Sequence, residues 1–152
     1  MAYTTAEGRE QVLGDLAVAI EQIAESLAAL GEAYERLDEQ TADVLEEQLF
    51  RPVQSAYGRA RRTYSEFANR SNLRGRTFAP HSPGVQSQSV QALIERAVDA
   101  AHDADQSIAE LQDSMLPVEV GDPELRAGLS QVRETLSSVP LQARTLVRTV
   151  GR

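Results

Sequence analysis

Eight apolar side chains recur along residues 13–37 at intervals of three and four without a break: Leu13, Leu16, Ile20, Ile23, Leu27, Leu30, Tyr34 and Leu37. An α-helix turns once every 3.6 residues, so this spacing lays all eight along one face, whereas a strand would send them to both faces. A helix carrying so long an apolar stripe is stable in water only when another element covers it. Glu21, Glu25, Glu32 and Glu35 fall off the stripe, and Thr5 stands where an N-cap is expected.

Three further stripes follow. Leu45, Leu49, Val53, Tyr57, Ala60, Tyr64 and Phe67 open with a run of fours around Pro52. Proline removes a backbone donor and crowds the preceding turn, so a kink with a local change of winding is expected near Arg51–Pro52. The third stripe is Val90, Ile94, Ala97, Ala101, Ala104, Ile108, Leu111 and Met115. Its three central alanines make it thin enough for a neighbouring helix to approach closely, Ser87 or Ser89 can cap its start, and Leu116-Pro117 marks its end. The fourth is Leu125, Leu129, Val132, Leu136, Val139, Ala143, Leu146 and Val150. Asp122-Pro123 supplies its N-cap and first helical residue. Pro140 is predicted to kink this helix or divide it after Ser137-Ser138.

The spacing thus predicts helices over about 5–37, 41–69, 87–114 and 123–149, each roughly 40–48 Å long at 1.5 Å per residue. Short linkers near 38–41 and 116–122 make the helices they join antiparallel neighbours. The long loop at about 70–86 can run along an edge or a diagonal. The expected fold is all-α: a single domain over 1–152, an antiparallel four-helix bundle with coiled-coil-like heptad packing, kinked at Pro52 and Pro140. The alternative is one long first helix running through residue 41 into an extended coiled coil.

With 152 residues, 41% of them hydrophobic, the chain has enough material for a core. It has no Cys, no Trp and two His, which excludes disulfides, a thiol nucleophile and Cys-ligated metal. The Glu-x-x-His pairs of carboxylate-bridged metal bundles are missing. The nearest approach is Asp99-x-x-His102, with Asp103 and Asp105 close by, but it lies beside the third stripe. A boundary histidine bonded to Asp99 is the plain reading, and a metal-dependent bundle enzyme on Asp99 and His102 is the third functional reading. No nucleophile elbow and no Gly-rich phosphate loop occurs. The expectation is a non-enzyme with no cofactor. The N-terminal residues show no secretory pattern and no apolar run approaches ~18 residues, so a cytoplasmic location and no transmembrane segment are expected.

Charge is arranged in blocks. Residues 1–50 carry a net −10, residues 51–76 a net +6 and residues 77–152 a net −4. The positive block holds Arg51, Arg59, Arg61, Arg62, Arg70, Arg74 and Arg76 against the single acid Glu66. Arginine beside aromatic rings suits protein hot spots and also phosphates. The candidate partner-binding residues are therefore Arg59, Arg62, Arg70, Arg74, Arg76 and Phe78. The first functional reading is a helical-bundle interaction or structural module acting through protein–protein contacts, with a homodimer as one partner reading because regular heptad seams also serve assembly. The second is electrostatic binding of nucleic acid or anionic membrane through Arg59–Arg76. Against it stand the net charge of −8 and the position of Tyr57, Tyr64 and Phe67 on the core stripe. The plain reading of the arginines is ion pairing with Glu7, Glu10, Asp15, Glu21 and Glu25 on the first helix, or with a second copy.

Tyr34-Glu-Arg-Leu-Asp38 resembles the Tyr-x-x-x-Asp/Glu export tag of small helical type VII secretion substrates. The Trp-x-Gly turn of that family is absent, and no residue role is carried over from it.

Overall fold

The computed structural model describes residues 5–84 and 88–150. Among them there is no strand. The helices are α1 (Thr5–Arg36), α2 (Glu39–Leu45), α3 (Arg51–Arg70), α4 (Val90–Asp113), α5 (Leu116–Glu119), α6 (Pro123–Leu136) and α7 (Val139–Val150), with a π-helical turn at Glu46–Phe50 joining α2 to α3.

Capping chemistry places three of the helix starts. Thr5 is the first residue of α1, one position inside the expected cap. Asp38 is extended, and its carboxylate accepts from the Thr41 N–H at 3.1 Å and the Thr41 hydroxyl at 2.7 Å. Those two bonds hold its carboxyl below the ordinary aspartate value. The break overturns the reading of one long first helix through residue 41. Ser89 caps α4 by accepting from the Ala92 N–H at 3.1 Å, and Ser87 lies outside the described residues. Asp122 caps α6 through the Leu125 N–H at 3.0 Å, with Pro123 as the first helical residue. The fourth segment is divided at Ser137–Ser138, just before Pro140.

The run of fours in the second stripe coincides with a change of winding. The π-helical turn ends two residues before Pro52, and the Arg51 N–H reaches back five residues to the Glu46 carbonyl. A wider turn keeps residues spaced by four on one face. Leu45, Leu49, Val53, Tyr57, Ala60, Tyr64 and Phe67 are all buried as a result.

Packing follows small residues. α1 and α4 make the most extensive helix pair and run antiparallel, because Gln22 meets Ser107 at 2.7 Å, Ser26 donates to the Ala97 carbonyl at 2.7 Å, and Arg36 reaches the Gln88 carbonyl. Ala29 and Ala33 of α1 and Ala97, Ala101 and Ala104 of α4 are buried. Side chains this short let a serine hydroxyl bond the backbone of the facing helix. The buried face of α1 is accordingly broader than the stripe. Val12, Ala19, Ala24 and Ser26 join it, while Leu27 and Leu37 are partly buried and Tyr34 is 37% exposed.

α3 packs on α6, and α1 and α4 pack on α3 and α6 respectively. Thr63 and Gly128 mark the α3–α6 approach: a Cβ on Gly128 would stand 2.3 Å from the Thr63 hydroxyl oxygen. Since α3 and α4 each pack on both α1 and α6, they are diagonal to one another, and the segment linking them has to cross α1 or α6.

Candidate functional site

The inward side of α3 is taken by Val53, Ala56, Tyr57, Ala60, Thr63, Tyr64, Phe67 and Ala68. Its arginines are thereby forced to the outer side or its borders, and together with Arg74 and Arg76 of the segment that follows they fall into two classes. Arg70 and Arg76 are consumed internally. The Arg70 guanidinium holds both Asp122 oxygens at 2.9 Å and Glu124 at 2.9 Å, tying the end of α3 to the start of α6. The Asp122 bond raises the Arg70 pKa. Burial pushes the Asp122 carboxyl up, but the bonds from Arg70 and the Leu125 N–H outweigh it, and the net shift is downward. Arg76 reaches Glu21 of α1 at 3.0 Å.

Arg51, Arg59, Arg61, Arg62 and Arg74 have no acidic partner among the described residues. Arg61, Arg62 and Arg74 are exposed and Arg59 is half-buried. The Arg59 Nε is buried without a hydrogen-bond partner, and the Arg61 guanidinium lies 5.1 Å above the Tyr57 ring. Glu66 stands four residues after Arg62, yet no ion pair joins them. The expected pairing of this block with the acids of the first helix is thus limited to Arg76 with Glu21. Glu25 instead faces Arg96 of α4 at 3.7 Å.

The segment after α3 crosses α1 as a strap. Asn72 takes a left-handed conformation, and Gly75 sits so close to Tyr64 that a Cβ there would lie 2.9 Å from its Cε1. Phe78 packs edge-on against Tyr64 with centroids 5.0 Å apart, and the Tyr64 hydroxyl accepts from the Arg76 N–H at 3.2 Å. The Arg76 guanidinium covers the Phe78 ring at 4.3 Å. His81 Nε2 is 2.7 Å from the second oxygen of Glu21, and Arg96 donates to the Pro83 carbonyl at 2.8 Å. Of the six candidate residues, Arg59, Arg62 and Arg74 remain available to a partner, while Arg70, Arg76 and Phe78 anchor the fold and the strap.

Asp99 and His102 are both exposed on α4. Among the described residues, no group of three or more His, Asp or Glu side chains has metal-holding geometry. Asp105 is engaged by Arg133 at 2.9 Å, which raises the Arg133 pKa.

A cleft of about 600 Å³ between α1, the end of the π-helical turn and α3 escaped the sequence reading. Leu27 and Gly31 form one wall, Phe50, Tyr57 and Gly58 the other, and Arg61 stands among its lining residues. Pro80, His81 and Pro83 of the strap close one side. The available signal was a pair of glycines within helical patterns.

No described helix is long and apolar enough to cross a membrane. Compared with family models, curated proteins and solved structures, the chain matches none.

Proposed function

We propose that the protein is a cytoplasmic, non-enzymatic interaction module: an antiparallel four-helix bundle with heptad-type seams that docks an acidic protein surface on the arginine face of α3. The carrying observation is the unpaired class of arginines. A chain with 23 acids and 15 basic residues has carboxylates to spare for every guanidinium. Even so, Arg51, Arg59, Arg61, Arg62 and Arg74 lack an acidic partner among the described residues. Helical spacing puts Arg51, Arg59 and Arg62 on one side of α3, and like charge gathered there raises the local potential, which steers an oppositely charged partner and fixes its register. The acidic helices of a second copy are one such surface; α2 and the π-helical turn alone carry Glu39, Asp43, Glu46 and Glu47.

The alternative is a polyanion, nucleic acid or anionic membrane, on the Arg59–Arg76 segment. Two of its arginines are already neutralised, and Tyr57, Tyr64 and Phe78 are packed inward, which removes the stacking platforms that single strands use. The net charge of −8 also opposes it.

The test compares the wild type with R59E/R62E/R74E. Affinity capture from native extract at low salt, with sedimentation across a dilution series, should give a hetero- or homomeric complex for the wild type and none for the variant. Equal results for the two proteins contradict the proposal. Retention on DNA or anionic vesicles with a steep log–log salt slope favours the polyanion instead.

A further inference from the structure

Three helical glycines, at 14, 31 and 58, have no atom within 4 Å of the place where a Cβ would be, apart from their chain neighbours and the backbone of their own helix. Glycine is among the poorest helix formers, and close contact explains it at Gly128, where Thr63 leaves no space. Contact explains neither Gly31 nor Gly58. These two instead line the same cleft, one from α1 and one from α3. Any longer side chain at either position would occupy part of it. Gly14 shares the open surroundings without lining it.

The cleft is about 600 Å³, within the range of small-molecule sites, and its walls are mainly apolar: Leu27, Phe50 and the Tyr57 ring. Of its polar lining residues, Gln54, Arg61 and Glu35 make no hydrogen bond or ion pair among the described residues. The Arg61 guanidinium lies over the Tyr57 ring, whose hydroxyl is buried with no hydrogen bond. The remaining polar residues differ in kind. Glu32 is held by Arg36 at 2.9 Å and His81 by Glu21 at 2.7 Å. Glu35 carries a negative charge on the α1 side.

We propose that this cleft binds a small apolar carboxylate, its hydrocarbon or aryl body against Gly31 and Gly58 and its carboxylate on Arg61. Arginine pairs a carboxylate in a fork geometry. Glu35 repels an anion from the α1 side, so the headgroup is directed to α3. The proposal does not rest on the docking surface, whose variants alter Arg59, Arg62 and Arg74.

The experiment titrates 4-phenylbutyrate into the isotopically labelled protein and follows amide and arginine side-chain resonances by NMR. 4-Phenylbutanol and 4-phenylbutylamine serve as the neutral and cationic forms of the same body. Expected are saturable shifts centred on Gly31, Gly58 and Arg61, affinity for the carboxylate about tenfold above the alcohol, and no saturation with the amine. Arg61→Gln should bring the carboxylate down to the level of the alcohol. Gly58→Leu, and independently Gly31→Leu, should abolish binding of both while leaving Tm unchanged or raised, because each replaces glycine in open helical surroundings. Absence of saturation, equal affinity for acid and alcohol, or unaltered binding in a glycine variant that retains its Tm overturns the proposal.

Discussion

Arg70 and Asp122 form a two-pronged ion pair, with both bonds at 2.9 Å, and the same Asp122 carboxylate caps α6 through the Leu125 N–H at 3.0 Å. One side chain thus starts a helix and fixes that helix to α3. Its two roles separate by mutation. Asp122→Asn keeps a good cap and loses the charge, at a cost of about 0–1 kcal/mol. Asp122→Ala loses both, at about 1–2 kcal/mol, and urea denaturation should rank the two in that order.

The same carboxylate makes stability depend on acid. The net effect of the fold is to lower the Asp122 pKa, so its contribution is complete above the ordinary aspartate value and is lost as pH falls through and below it. Thermal melts over that acid range should show a smaller loss for Asp122→Asn than for the wild type. An identical pH profile for both would refute this assignment.

Gly128 should not tolerate alanine. Alanine is the better helix former by about 1 kcal/mol, but its Cβ would stand 2.3 Å from the Thr63 hydroxyl and 2.8 Å from the Thr63 Cγ2. Crowding of this kind costs about 1–3 kcal/mol, so Gly128→Ala should be net destabilising. Thr63→Ala in the same chain should recover part of the loss. Chemical denaturation of the wild type and the two variants checks the order.

Ser26 is fully buried and bonded to the Ala97 carbonyl across the α1–α4 contact. Ser26→Ala forfeits that bond, worth about 1 kcal/mol. Ser26→Leu has to push apart helices that meet through alanines, at about 1–3 kcal/mol. A leucine variant as stable as the alanine variant would show that the two helices do not approach closely.

The two arginine classes should differ in stability as they differ in partners. Arg62→Glu and Arg74→Glu alter exposed, unpaired side chains and should stay within about 0.5 kcal/mol of the wild type. Arg70→Glu places a third negative charge beside Asp122 and Glu124, and should cost more than either, as Tm would show.

What was legible in the sequence was local. The stripes, the break at Asp38, the Asp122 cap and the division near Ser137–Ser138 depend on spacing and on capping chemistry within a few residues. The stripe of α1 was read too narrowly, because burial of Ala24, Ser26, Ala29 and Ala33 depends on which helix faces them, and Leu27 and Tyr34 yielded their places as a result. Partners distant in sequence were not legible. The arginine block is plain as composition, but the choice of Asp122 for Arg70 is made by α3 packing on α6, 52 residues away. The diagonal course of the strap is tertiary in the same sense. Gly128 and Gly58 look alike in sequence: only the facing surface shows that one closes a contact and the other lines a cleft.

Arginine-selective labelling read by mass spectrometry tests the central claim most directly. In the isolated protein, Arg62 and Arg74 should react quickly and Arg70 slowly, with exposed Arg126 as the reference. In native extract at low salt, Arg59, Arg62 and Arg74 should become protected while Arg126 does not, and high salt should restore their reactivity. Unchanged reactivity of all three in the extract, relative to Arg126, would contradict docking on the arginine face of α3.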